Sequence, residues 1–244
     1  MTEQPGETPP WLAVIDMQRV FGEPGSPWLT PRFAEIVPPI QQLVQAFRPR
    51  VTFTRFVAPE VPRGAWRRYY SQWPFALQPP TARVYELVDE FAGEAGPTVD
   101  ATTFSKWGPE LAARVGAGRL VLAGVSTDCC VLSTALAAAD AGVEVQVIAD
   151  ACAGVDDDSH LKTLQILRLY SPLVEVAGLA EALSEHDPAG LDRAPPQAGS
   201  LCMNRKGKRD RGPSARSTGW HSAMRLACQP SRCPAKRSWR AMAR

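Results

Sequence analysis

Residue 130 is a cysteine placed where a continuous apolar run gives way to a helical pattern, at the end of Ser126-Thr127-Asp128-Cys129-Cys130. The reactive form of a cysteine is its thiolate, and a helix N-terminus or a nearby cation lowers its ordinary pKa of about 8.5. Cys130 opens the helix, so backbone N–H groups face its sulfur, and the same groups suit a developing oxyanion. Asp16 closes an earlier apolar run, WLAVID, and is the right kind of group to take a thiol proton and return it to a leaving group. Lys106 is the only lysine before residue 162 and would hold such a carboxylate ionised beside a substrate. Nucleophile, base and cation are the parts of covalent hydrolysis. Singly, each has a structural explanation: a small buried hydrophobe, a turn cap, a solvated amine. Their weight comes from sharing one rim.

That rim is set by the elements around them. Short apolar runs alternate with amphipathic stretches through residues 11–189, the pattern of a parallel-sheet α/β domain. Six strand candidates stand out: 11–16, 51–57, 97–104, 119–125, 144–150 and 173–176. The fourth is apolar throughout, as a strand buried on both faces must be. In such sheets ligands bind beyond the C-terminal strand ends. The first strand delivers Asp16 there, the third leads to Lys106, and the fourth leads to Cys130.

Among the helical patterns, Phe33, Ile36, Val37, Ile40, Leu43, Val44 and Phe47 share one face, with Pro38 and Pro39 expected to kink or shorten that helix. A second runs from about Cys130 to Gly142, a C′ glycine. A third follows Asp156–Asp158, with Leu161, Leu164, Ile166, Leu167 and Leu169 as its apolar positions. Residues 58–80 read as a long irregular loop carrying Trp66, Tyr69, Tyr70 and Trp73, a lid or an interface. Trp73 and Trp107 are candidate substrate walls and equally candidate core residues.

The 244 residues carry 27 Lys+Arg against 25 Asp+Glu, and 45% are hydrophobic. That excludes a disulfide-stapled mini-protein. No apolar run reaches the roughly 18 to 20 residues of a membrane helix. The polar, Pro-rich start lacks the form of a secretory signal, so a cytoplasmic location is expected. Residues 1–10 read as a flexible N-terminus. The near-neutral total hides an asymmetry, with a net charge of −9 over residues 1–189 and +11 over 190–244. From Gly190 the periodicity stops and the composition favours disorder. The basic cluster 204–211 lacks interleaved aromatics, so nucleic-acid binding gains little support. Cys202, His221, Cys228 and Cys233 lack zinc-ligand spacing. Read-through sequence without a role also fits this tail.

Other templates fail. Gly124-Val-Ser-Thr-Asp lacks the closing glycine of a serine nucleophile elbow. No Gly-x-Gly-x-x-Gly or Walker loop occurs, so no nucleotide cofactor is expected. His160 reads as a capping or packing residue rather than a base. Cys129 and Cys130 are expected to be reduced rather than joined.

The runs V-I-D-M-Q (14–18), F-S-K-W (104–107), A-G-V-S-T-D-C-C-V-L-S-T-A (123–135) and D-A-C-A-G (150–154) resemble the isochorismatase-like cysteine hydrolase family. The resemblance spans about Leu12 to Val176. It implies a three-layer α/β/α fold with a six-stranded, mostly parallel sheet, and a homo-oligomer (dimer or tetramer). It implies Cys130 as nucleophile, Asp16 as base, and a cis Val125–Ser126 peptide that, with Cys129, presents backbone donors to the oxyanion. The family's lysine position falls on Ala101, so Lys106 would have to enter from the following loop. No histidine precedes His160, so the metal site of the family's nicotinamidases is not expected. A cysteine at 130 favours C–N hydrolysis of a small amide, carbamoyl or ureido compound through a thioester. Vinyl-ether cleavage and a non-catalytic, small-molecule-binding relative are the alternatives.

Overall fold

A computed structural model describes residues 8–94 and 96–186. The N-terminal residues 1–7 and the basic segment from 190 onward lie outside the described residues. Six strands form one sheet: β1 (Trp11–Ile15), β2 (Val51–Phe56), β3 (Val99–Ala101), β4 (Leu120–Val125), β5 (Val145–Ala153) and β6 (Val174–Ala177). Their order is β3-β2-β1-β4-β5-β6, and every neighbouring pair is parallel. Among the described residues eight α-helices accompany them: α1 (Arg19–Gly22), α2 (Phe33–Phe47), α3 (Trp66–Gln72), α4 (Asp89–Ala92), α5 (Pro109–Val115), α6 (Leu132–Asp140), α7 (Asp157–Arg168) and α8 (Leu179–Glu185).

The two-residue alternation of the central strands builds a core on each face. Leu12 and Val14 join Val121, Ala123 and Val125 against α2, α4 and α8. Ala13 and Ile15 join Leu120 and Leu122 against α5, α6 and α7. The result is the three-layer architecture expected. Its topology reverses between β1 and β4, and this switch point opens a crevice at the strands' C-terminal ends.

Gly124 makes that junction possible. It pairs with Ile15, and its φ of +113° lies where a side chain is strained. A Cβ there would stand 2.1 Å from the Ile15 carbonyl oxygen. Asp16, the next residue along, has φ +50°, so the chain leaves β1 in a left-handed turn that only a few non-glycine residues adopt.

Several sequence expectations are corrected. The helix with Pro38 and Pro39 runs unbroken from Phe33 to Phe47. The prolines remove the donors to the Ala34 and Glu35 carbonyls, but both of those residues are exposed, so water serves them. Residues 58–80 are not irregular, since they contain α3 and a further turn of helix at Pro74–Ala76. On α7 only Leu164 and Leu167 of the five predicted apolar positions are buried. Leu161, Ile166 and Leu169 face outward, because the 3.6-residue period cannot place all five on one face. β3 is three residues rather than eight, which frees Phe104 and Lys106 for the loop that follows.

Among the described residues no helix is long and apolar enough to cross a membrane.

Candidate active site

Asp16, Lys106 and Cys130 arrive from β1, the β3–α5 loop and the turn after β4, and all three are buried. Lys106 Nζ stands 3.0 Å from Asp16 Oδ2, with both side chains fully shielded from solvent. The amine also donates to the Thr103 carbonyl at 3.0 Å and lies 4.9 Å from the centre of the Phe56 ring. Asp16 Oδ1 accepts a 2.8 Å hydrogen bond from the Thr54 hydroxyl. Asp16 Oδ2 accepts no aligned hydrogen bond: its contact with the ammonium is ionic and leaves lone-pair capacity free.

The charges of Asp16 and Lys106 both act on the Cys130 thiol. Its pKa nonetheless rises. A hydrogen bond to Cys129 and burial push it up, Asp16 adds to the rise, and the attraction of Lys106 does not offset them. The lowered thiol expected from the helix start is therefore corrected, because the Cys129 bond and desolvation outweigh the attraction of Lys106. Cys129, half-buried, is held lower by accepting the bond from Cys130.

The nucleophile turn is a single wide turn, Thr127–Val131, ahead of α6. The Val125–Ser126 peptide that leads into it is cis. The Ser126 carbonyl accepts from the Cys129 and Val131 N–H groups, each at 3.1 Å, so the Cys129 N–H is engaged within the turn. Thr134 ties the turn to the lysine loop. Its hydroxyl donates to the Cys130 carbonyl at 2.6 Å and accepts from Lys106 N–H at 2.9 Å.

Residues not singled out as site candidates in the sequence complete the support. Gln18 is fully buried: its amide donates to the Phe56 and Tyr85 carbonyls at 3.1 and 2.8 Å, and its oxygen accepts from Phe56 N–H at 2.7 Å. It thereby fixes the turn holding Asp16 against the end of β2. Thr54 and Gln18 each bond across 38 residues, a separation no local pattern reveals.

An aromatic wall closes over these groups. Phe104 stacks on Phe56 at 6.2 Å, and Trp66 and Tyr69 meet Phe104 edge-on at 5.1 and 5.8 Å. The pKa of the Tyr69 phenol is pushed up by burial, to which the charges of Cys129, Tyr70 and Cys130 add. Trp73 meets Trp28 edge-on at 6.1 Å, and its backbone N–H donates to the Tyr69 carbonyl at 3.1 Å. Trp107, partly buried, packs against the opposite core. A groove of about 420 Å³ opens beside the wall, lined by Trp66, Arg68, Tyr69, Gln72 and Phe104. A larger cavity of about 910 Å³ lies at the other end of the sheet, around Pro9, Arg50, Gly118 and Glu144, away from all of this chemistry.

After β2 the chain offers Glu60 and Arg63 but no histidine, so these residues do not fit a divalent metal. Among the described residues no cluster of three metal-binding side chains forms elsewhere.

The isochorismatase domain model matches residues 10–180, and the chain belongs to this family of isochorismatase-like hydrolases. Solved structures agree in fold. A cysteine hydrolase from Pseudomonas syringae pv. phaseolicola superposes with a TM-score of 0.65 at 24% identity, covering 74% of this chain and 93% of its own. N-carbamoylsarcosine amidase from Thermoplasma acidophilum gives 0.55 at 19% identity, over 70% and 97%. Nicotinamidase from Bacillus subtilis gives 0.55 at 22%, over 70% and 99%. No curated protein sequence matches this chain.

Proposed function

We propose that this protein is a cysteine hydrolase that cleaves the C–N bond of a small amide, carbamoyl or ureido compound. The observation that carries this reading is the shielded Asp16–Lys106 pair, with a lone pair of Asp16 Oδ2 unused, beside a thiol that its surroundings keep protonated. A protonated cysteine needs a base at the moment of attack, and Asp16 is that base.

In the forward cycle Asp16 takes the Cys130 proton as sulfur attacks the carbonyl carbon. The backbone N–H of Cys130 and its turn hold the oxyanion. As the C–N bond breaks, protonated Asp16 gives its proton to the nitrogen, and ammonia or an amine leaves. Water then attacks the thioester while Asp16 accepts its proton and returns it to the departing thiolate. Lys106, 3.0 Å away, holds the orientation of Asp16. The Trp66–Tyr69–Phe104 wall excludes water from the pair and strengthens its electrostatics. The adjoining groove takes the part of the substrate that does not react.

Ammonia release from a panel of small amides, ureides and N-carbamoyl compounds tests this reading, with Cys130→Ala as control. Turnover that disappears in the variant supports it. Turnover that survives Cys130→Ala overturns it and points to acid catalysis by Asp16 alone. The full chain serves throughout, since a homo-oligomer is part of the same proposal and sedimentation reads that state directly.

A further inference from the structure

The turn that carries Cys130 is held from outside by the β5–α7 connection. Asp128 Oδ1 accepts from the Ser126 hydroxyl at 2.6 Å and from Val155 N–H at 2.9 Å. Beneath this contact lies Gly154, where a Cβ would stand 2.8 Å from Asp128 Oδ1 and 3.1 Å from His160 Cβ. The two segments therefore approach as closely as backbone allows. A second tie crosses the same junction, with Thr127 Oγ1 lying 2.9 Å from His160 Nδ1.

Thr127 is fully buried, and among the described residues its hydroxyl has no other hydrogen-bond partner. A buried hydroxyl left without an acceptor is costly, so the Thr127 proton goes to Nδ1. That assignment makes His160 the Nε2–H tautomer. The main chain of His160 is itself fixed, because its backbone N–H donates to the Asp156 carbonyl in the first turn of α7.

We propose that His160 is a positioning residue for the nucleophile turn: neutral, it accepts the Thr127 hydroxyl and fixes the segment carrying Cys130, and protonated it can only donate to Thr127 Oγ1, which leaves the buried hydroxyl proton without an acceptor and weakens that hold. The inference rests on the hydrolase reading for its effect on turnover, while the bond itself is independent of it. Partial burial lowers the pKa of His160, and so does Arg32, which precedes α2; Asp157 on α7 and Asp128 on the turn act the other way. The net shift is downward from the ordinary value. The hold is therefore intact at neutral pH and weakened as pH falls through a midpoint below about 6.5.

Two measurements test this on the full chain. The first is a ¹⁵N NMR titration of the imidazoles, with the His160 signals assigned by their loss in His160→Asn. The expected result is the Nε2–H tautomer, and a midpoint that rises in Thr127→Val, because a bond to the neutral ring has been removed. An Nδ1–H tautomer, or a midpoint unmoved in Thr127→Val, overturns the proposal.

The second measurement compares His160→Leu, which keeps bulk without an acceptor, with His160→Asn, whose Oδ1 can accept and does not titrate. The Leu variant should lose about tenfold in kcat with KM little changed, the pattern for a group acting on the transition state. The Asn variant should recover most of that loss and lack the acid limb due to His160. An Asn variant no better than the Leu variant overturns the proposal, as does a fully active Leu variant. If the wild-type protein hydrolyses no amide, it is the hydrolase reading that fails. The titration then still decides the bond, and a Cys130 alkylation rate unchanged in His160→Leu overturns the positioning role.

Discussion

The Lys106 ammonium and the Asp16 carboxylate meet at 3.0 Å with neither side chain exposed to solvent. Removing one partner of such a pair leaves a buried charge without compensation and costs about 3–5 kcal/mol, whereas removing both costs far less. Lys106→Met should therefore lower the urea midpoint sharply. Combining it with Asp16→Asn should restore much of that stability without any activity. A double variant no more stable than Lys106→Met would show that the pair is not coupled as described.

Thr54 orients the carboxylate through its 2.8 Å bond to Oδ1. Thr54→Val should reduce kcat about tenfold with little change in KM, the size of one hydrogen bond felt in the transition state. Thr54→Ser keeps the hydroxyl and should stay near wild type. Equal losses in the two variants would assign the effect to packing instead.

Alkylation separates the two adjacent thiols. Cys129 is half-buried and held low, while Cys130 is buried and pushed up. With iodoacetamide, Cys129 should react first. In Cys129→Ser the Cys130 rate should keep rising beyond about pH 8.5, the ordinary thiol value. A rate already level at neutral pH would mean a resting thiolate at Cys130 and would remove the need for Asp16 as its base.

Cys152 lies in the core with its pKa pushed to about 12 by burial. The folded state then holds a proton that the unfolded chain releases near its ordinary value, so this group's contribution is complete below about pH 8.5. It declines as pH rises from there toward the folded value, at up to about 1.4 kcal/mol per pH unit. Urea unfolding between those limits should weaken with pH, and less steeply in Cys152→Ala. The same slope in both proteins would contradict the assignment.

Gly124 meets the Ile15 carbonyl too closely for any side chain and sits at positive φ. Gly124→Ala should cost upward of about 4 kcal/mol, the range of combined strain and overlap in a core. Thermal unfolding of the variant close to that of wild type would show that β1 and β4 can separate there.

The six strands were legible because β1 and β4 are buried on both faces and read as unbroken apolar runs. The three residues on the rim followed from where those strands end. Lys106 was harder, since the family's lysine position falls on Ala101. The short β3 explains how it reaches the crevice: the chain leaves the sheet at Ala101, five residues before the lysine, and turns inward beneath Phe104. What the sequence hid depends on depth or on distant pairing. The rise at Cys130 comes from the Cys129 bond and from desolvation, which strand and helix patterns do not measure. Gln18 was visible within a motif, but its three bonds to Phe56 and Tyr85 belong to tertiary structure. His160 was read as a cap or packing residue, yet its partner is Thr127, 33 residues away. On α7, apolar residue types alone did not say which side met the core.

The most direct test is to look for the covalent intermediate. The protein is mixed with an amide that releases ammonia, quenched in acid during turnover, and its peptides are weighed. The account predicts the substrate's acyl mass on Cys130, sensitive to hydroxylamine as a thioester must be, and absent in Cys130→Ala. Steady ammonia release with Cys130 unmodified, under conditions where the second step is rate-limiting, would contradict it.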